Sequence, residues 1–308
     1  MKSRFLNIQS PCSENWEQMT PEEQGRYCKA CAKHVQDFTA LTPLEISQQL
    51  QNTKGTLCAR VTPQQLKTPL LNLEASKKLE LPYANIAAGL LAVTTLTMGP
   101  TAQADTTRLK TEWVATTDSV VKTKTETPNT EVSDHDKKLE LTFRGRIISN
   151  ATKKPLVHAK VLFVTLQKIY STYTEKNGSF SLNIPSHLVD EANVIRVDYD
   201  SLQGGRDGLY LFYDNEDFIL SKNELQSFNR IYAEPSPMIM GMVFYERPKE
   251  NPKVYVNGTS MDFNKYQKQY AEDPESYNRG DLYYFDPKEA EAITGGSTKG
   301  GLILFWDK

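Results

Sequence analysis

Past residue 58 the sequence has no cysteine, and its four cysteines, Cys12, Cys28, Cys31 and Cys58, all fall in the first fifth of 308 residues. A secreted disulfide-stapled domain carries cysteine at higher density, which excludes that class. A metal-binding or redox segment followed by a thiol-free remainder fits better. Histidine is scarce, with 4 in the chain, and no G-x-S-x-G, H-E-x-x-H or Walker sequence occurs. His135, His158 and His187 fall in a polar stretch or beside expected turns, so no catalytic constellation assembles and an enzyme is not expected. Charge of one sign does not dominate either: 36 Lys+Arg against 38 Asp+Glu leave a net charge of −2. That balance speaks against nucleic-acid coating and gives no general attraction to anionic membranes. Residues 1–50 hold no apolar run, so no N-terminal signal peptide is expected.

Hydrophobic residues make up 39%, low for a uniformly packed chain of this length, so two or three domains joined by linker are expected. One stretch lacks charge altogether. Residues 81–104, LPYANIAAGLLAVTTLTMGPTAQA, have the length of a transmembrane helix and modest hydrophobicity. A buried soluble helix is one alternative, because Asn85, Gly99 and Pro100 weaken a span; an internal signal segment ending near Ala102-Gln103-Ala104 is another. Charge does not orient it, since Arg60, Lys67, Lys77 and Lys78 on one side face Arg108, Lys110, Lys122 and Lys124 on the other. Cysteine placement does: a reduced thiol segment suits the cytoplasm and a thiol-free region tolerates the outside. The expectation is an inner-membrane protein with a cytoplasmic N-terminus and a periplasmic C-terminus.

Residues 105–138 are rich in Thr, Lys, Glu and Asp and sustain no apolar period, which reads as a flexible linker. As a coil it would span roughly 30 Å. From residue 139 short alternating strands follow, with Asn177-Gly178 as a hairpin turn, and they predict an antiparallel sandwich over 139–234. The acidic run Asp214 to Phe218 reads as a solvated loop. A second unit is expected over 235–308, with strands in MIMGMVFY and KVYVNG, a helix from Asp262 to Ala271, a helix PKEAEAIT ended by Gly295-Gly296, and a last strand LILFW. The last strand is expected to pair with that around Lys253–Asn257, because a strand–helix–strand of this length closes by bringing both strands into one sheet.

Cys28-Lys29-Ala30-Cys31 is a CxxC knuckle, and with Cys12 and Cys58 it offers four thiolates to a tetrahedral Zn2+. A domain of ~60 residues has little core, and a metal can supply folding free energy. A redox CxxC and buried free thiols are the alternatives, and His34 is a spare ligand.

Three stretches resemble known families. Pro11-Cys12 to Trp16, Gly25-Arg26-Tyr27-Cys28, Asp37-Phe38-Thr39 and Leu57-Cys58-Ala59-Arg60 resemble the N-terminal module of predicted membrane proteins of Bacteroidetes-type bacteria, over residues 7–66. Phe143-Arg144-Gly145-Arg146, Lys154-Pro155-Leu156 and Thr172 to Leu182 resemble the carboxypeptidase regulatory-like domain, a non-catalytic accessory sandwich in which Gly often stands where this chain has His158. Val254 to Gly258, Phe285 to Ile293 and Lys299 to Phe305 resemble the plug domain of TonB-dependent outer-membrane receptors. Such a receptor continues as a barrel; here the chain stops at Lys308, so a transporter is not expected.

The resulting expectation is a multidomain, mainly β protein. It comprises a four-cysteine zinc-ribbon-like module (1–70), a membrane helix (81–104), a linker (105–138), a sandwich (139–234) and a plug-like α/β module (235–308). Its expected role is that of a non-enzymatic envelope binding or signalling adaptor, meeting the membrane through 81–104 and an envelope protein through the C-terminal module, with no nucleic acid. A structural envelope protein, and a thiol redox sensor through Cys28 and Cys31, are the alternatives.

Overall fold

The computed structural model describes residues 2–23, 25–53, 56–76, 140–199, 202 and 211–308. The expected membrane segment at 81–104 and the expected linker at 105–138 lie outside the described residues. Among the described residues no helix is long and apolar enough to cross a membrane.

The N-terminal strands β1 (Arg4–Pro11), β2 (Thr20–Glu22), β3 (Gly25–Cys28), β4 (Lys33–Asp37), β5 (Leu57–Val61) and β6 (Pro69–Leu70) are joined by two short helices. These are α1 (Pro43–Asn52) and α2 (Pro63–Lys67), each opened by a Thr capping box with Pro in the first turn.

In the middle of the chain alternation decides the fold. Leu141, Phe143 and Ile147 of β7 (Glu140–Ser149) are buried, while Thr142, Arg144 and Arg146 face outward. With β8 (Lys160–Val164), β9 (Ile169–Tyr173), β10 (Ser179–Pro185), β11 (Asn193–Asp198), β12 (Glu216–Leu220) and β13 (Phe228–Ala233) it forms two sheets, ordered β10-β7-β13 and β12-β11-β8-β9. Their inner faces share one apolar core. Gly178 sits at φ 78 in the expected turn, where a Cβ would lie 2.5 Å from the Ile147 carbonyl. His158 has φ 64, in the left-handed region that glycine adopts at least cost.

Two expectations are corrected here. The sandwich is not wholly antiparallel, because β13 runs parallel to β7. The chain reaches β13 from β12 in the opposite sheet through helix α3 (Lys222–Gln226), and a crossover does not impose the reversal that a hairpin would. The acidic run is not a loop: Glu216, Asp217 and Phe218 lie in β12.

The distal unit comprises β15 (Lys253–Val256), β16 (Thr259–Met261), α4 (Phe263–Glu272), α5 (Pro274–Arg279), β17 (Asp281–Phe285), α6 (Pro287–Thr294) and β18 (Leu302–Trp306). The expected pairing is present: β15 and β18 are parallel, from Lys253↔Leu302 to Val256↔Phe305. The sheet order β16-β15-β18-β17 makes β18 an interior strand. Tyr266, Tyr270 and Tyr277 from the two preceding helices close around Phe305, with ring centroids 4.6–6.0 Å away. Leu302 and Leu304 on the other face pack against Leu162, Val164 and Val194 of the sandwich.

The expected boundary at residue 235 does not hold. Strand β14 (Ile239–Glu246) leaves the distal unit and inserts between β1 and β5, antiparallel to both, in a sheet ordered β2-β3-β4-β5-β14-β1-β6. Its Val243 joins Leu6, Phe38, Ile46 and Val61 in the N-terminal core. Residues 1–77 and 138–308 are therefore one compact unit. The expected division, cytoplasmic N-terminus and periplasmic C-terminus, is incompatible with this sheet, since strands hydrogen-bonded side by side occupy one compartment.

Candidate functional sites

Three adjacent strands and the end of β1 bring the cysteine-bearing backbones to one region of the N-terminal sheet. Cys28 ends β3, opposite Lys33 of β4. Cys58 in β5 lies between Val35 of β4 and Met242 of β14. Cys12 follows β1 and donates its N–H to the Met240 carbonyl at 2.7 Å. Cys28 and Cys58 meet in a small apolar cluster with Met19, Val35, Trp16 and Met240.

The CxxC turn is built to hold an anionic sulfur. The backbone N–H groups of Cys31 and Ala30 donate to the Cys28 sulfur and hold its thiol below the ordinary value, against the opposing effect of burial. Cys31 is pushed up by the hydrogen bond it shares with Cys28 and by burial. Ala32, just after the turn, takes φ 53 and swings the chain back into β4. Burial pushes the Cys58 thiol up, while Lys33 draws it down and the Cys12 and Cys28 sulfurs oppose that pull. Among the described residues no three His, Cys, Asp or Glu side chains are grouped so as to hold a metal ion as they stand. The donor chemistry nonetheless fits zinc, with four sulfurs from one region of the sheet and amides already aimed at one of them. His34 is not brought in: its ring bonds Glu22 and packs on Tyr27.

The residues between the cysteines brace this end of the sheet. Trp16 lies between the guanidinium groups of Arg26 and Arg60, 5.1 and 4.8 Å from its ring centre. Arg26 in turn bonds Glu17 at 2.9 Å and Arg60 bonds Asp37 at 3.3 Å. Gly25 is required by close approach, since a Cβ there would meet the Val35 carbonyl at 2.0 Å. The Trp, Gly-Arg and Asp-Phe positions of the sequence pattern thus form one linked support for the thiol strands.

A second site was not legible in the sequence. Where the N-terminal unit, the sandwich and the distal unit meet there is a cavity of about 490 Å³, lined among others by Thr42, Gln64, Lys160, Arg196, Asn278 and Tyr283. Arg196, in the apolar run NVIRVD, has a side chain only 5% exposed. It makes a two-pronged bond to Asp217 at 2.7 and 2.6 Å, donates to the Tyr284 carbonyl at 2.7 Å, and lies 3.9 Å from the Phe285 ring centre. Lys160 bonds Tyr283 at 3.4 Å. Burial would lower the Lys160 pKa, but Tyr283, Tyr173 and Asp198 together hold it above the ordinary lysine value, so it stays charged. The unpaired edge of β17 supplies residues 280–284 to the wall. A cavity of this size at a junction of three units, with charged and amide groups converging, suits binding of a polar ligand or chain segment.

No protein-family model matches the chain, and no curated protein matches it.

Proposed function

We propose that this protein is a non-enzymatic adaptor of the bacterial envelope that binds a partner in the cleft where its three parts meet. The observation that supports this most directly is the cleft itself, whose wall mixes Gln64, Lys160, Arg196 and Tyr283 from all three parts. An occupant there touches every part at once. The likeness of residues 140–185 to the regulatory-like sandwich and of 238–308 to a receptor plug agrees with a role in the envelope. Residues 81–104 are the proposed membrane contact.

The test is site-specific photocrosslinking in intact membranes. A crosslinker at the exposed Asn278, on the cleft wall, is expected to give a discrete adduct that one at the exposed Lys176 does not give. Adducts that are the same from both positions, or absent from both, would overturn the cleft as the binding element.

In this reading Cys12, Cys28, Cys31 and Cys58 hold Zn2+ as a structural ion, which would cross-link β1, β3 and β5. Full-length protein prepared without chelator is expected to carry about one zinc per chain, and Cys28→Ser with Cys58→Ser to carry none. Elemental analysis and free-thiol titration check this together. Zinc-free protein with a Cys28–Cys31 disulfide would favour the redox-sensor alternative, for which the lowered Cys28 thiol is the supporting observation.

A further inference from the structure

Strand β13 is the edge of its three-stranded sheet, and the face beside it is open. Phe228 and Tyr232 are 62% and 51% exposed, and Arg230 stands exposed between them. The register sets Phe228 beside Arg144 and Arg230 beside Arg146 on β7, with Ser181 and Ser179 of β10 next in each row. Arg146 is held by a 2.6 Å bond from its Nε to the Asn177 carbonyl, and no ion pair is formed by Arg144, Arg146 or Arg230 among the described residues. Three cations and two aromatic rings thus share one face, bordered by Glu175, which accepts from the Ser179 hydroxyl at 3.3 Å, and by Glu234, which accepts from the Asn150 amide.

The backbone of the same strand is also available. The Asn150 N–H bonds the Ala233 carbonyl, and Ala233 lies opposite Ser149. In a parallel pair, alternate residues of a strand direct both backbone groups to the same neighbour. Ala233, Ile231 and Asn229 therefore face β7, while Tyr232, Arg230 and Phe228 turn their N–H and C=O outward. Among the described residues, Phe228, Arg230 and Tyr232, whose side chains lie on the cationic face, have no strand partner for their backbone, and the free edge ends where Pro235 bridges Tyr213.

We propose that β13 accepts an extended acidic segment of a protein partner, added as a new strand to its outer edge. Carboxylates on alternate residues of that segment would meet Arg230 and reach Arg144, and the intervening main chain would bond Arg230 and Tyr232. Charge selects this occupant over a second copy of the chain, since edge-to-edge pairing of β13 with itself sets arginines against arginines. This surface is separate from the cleft, and the inference does not depend on the adaptor reading.

The test uses the full chain and a fluorescent synthetic peptide of about eight residues, alternating Glu and Val, the length of one strand. Saturable binding by anisotropy is expected, with no binding of the Lys/Val counterpart. Arg230→Glu and, separately, Arg144→Glu are expected to weaken binding by roughly tenfold or more at unchanged thermal unfolding. A Glu/Val peptide methylated on alternate backbone nitrogens is expected not to bind, which distinguishes strand addition from simple charge attraction. Equal binding of the methylated peptide, indifference to Arg230→Glu, or uptake only by phosphatidylglycerol vesicles would overturn the proposal.

Discussion

Residues 1–76 expressed alone are expected to remain unfolded, and the same residues joined by a flexible linker to residues 236–247 are expected to fold. The reason is the position of β14. It bonds β5 through Ile239↔Val61 to Val243↔Leu57, and β1 through Phe5↔Glu246 to Ile8↔Val243. Without it β1 and β6 have no connection through the sheet to β5, and the core around Leu6, Ala59 and Val61 is open on one side. Burial of Val243 contributes on the order of 1.5–3 kcal/mol and the partial burial of Ile239 and Tyr245 adds to it, a large share of the stability of a small domain. Zinc tied to the four sulfurs does not replace a missing central strand. Amide dispersion in a proton–nitrogen NMR spectrum of the two fragments reads this directly. A dispersed spectrum for 1–76 alone would show the N-terminal part to be self-sufficient.

Arg196→Ala is expected to cost about 3 kcal/mol, because it leaves the largely buried Asp217 carboxylate without its partner and removes the guanidinium from the Phe285 ring. The lower end of the usual range applies, as the Asp217 side chain keeps 20% exposure. Arg196→Met combined with Asp217→Leu is expected to return close to the parent stability, since the buried pair is replaced rather than broken. Urea unfolding of the parent, the two single variants and the double variant gives the coupling. A loss below ~1 kcal/mol for Arg196→Ala would mean that water reaches the pair and screens it.

Local chemistry was readable wherever it sufficed to determine structure. Asn177-Gly178 and Asn257-Gly258 take the positive φ values that their turns demand, at Gly178, Asn257 and Gly258. Asp262 caps α4 through the Lys265 N–H, and Gly295 at φ 66 ends α6 as its position after PKEAEAIT implied. The pairing of β15 with β18 followed from a strand–helix–strand of the right length. What was hidden depended on distance along the chain. MIMGMVFY reads as a strand, but nothing local says that its neighbours are residues 4–11 and 57–61. Arg196 reads as an outlier in an apolar run until Asp217, 21 residues on, arrives in the adjacent strand. The thiol site lies between: its ligand types were visible in the spacing, while the amides aimed at Cys28 and the Trp16 support needed the fold.

The inserted strand has a consequence for how the chain is made. Between the end of β5 at Val61 and the start of β14 at Ile239 the ribosome must add all the residues of the intervening segment and the sandwich. At ~5–20 residues per second that is a wait of roughly 10–35 s, during which β1 and β5 have emerged and lack the strand that belongs between them. Two open strand edges and an uncovered apolar surface persist for that time, in a stretch that also carries four free thiols. A holdase, or early capture of zinc, would therefore matter most during synthesis, and premature chain termination before residue 246 would release a product with its first sheet incomplete.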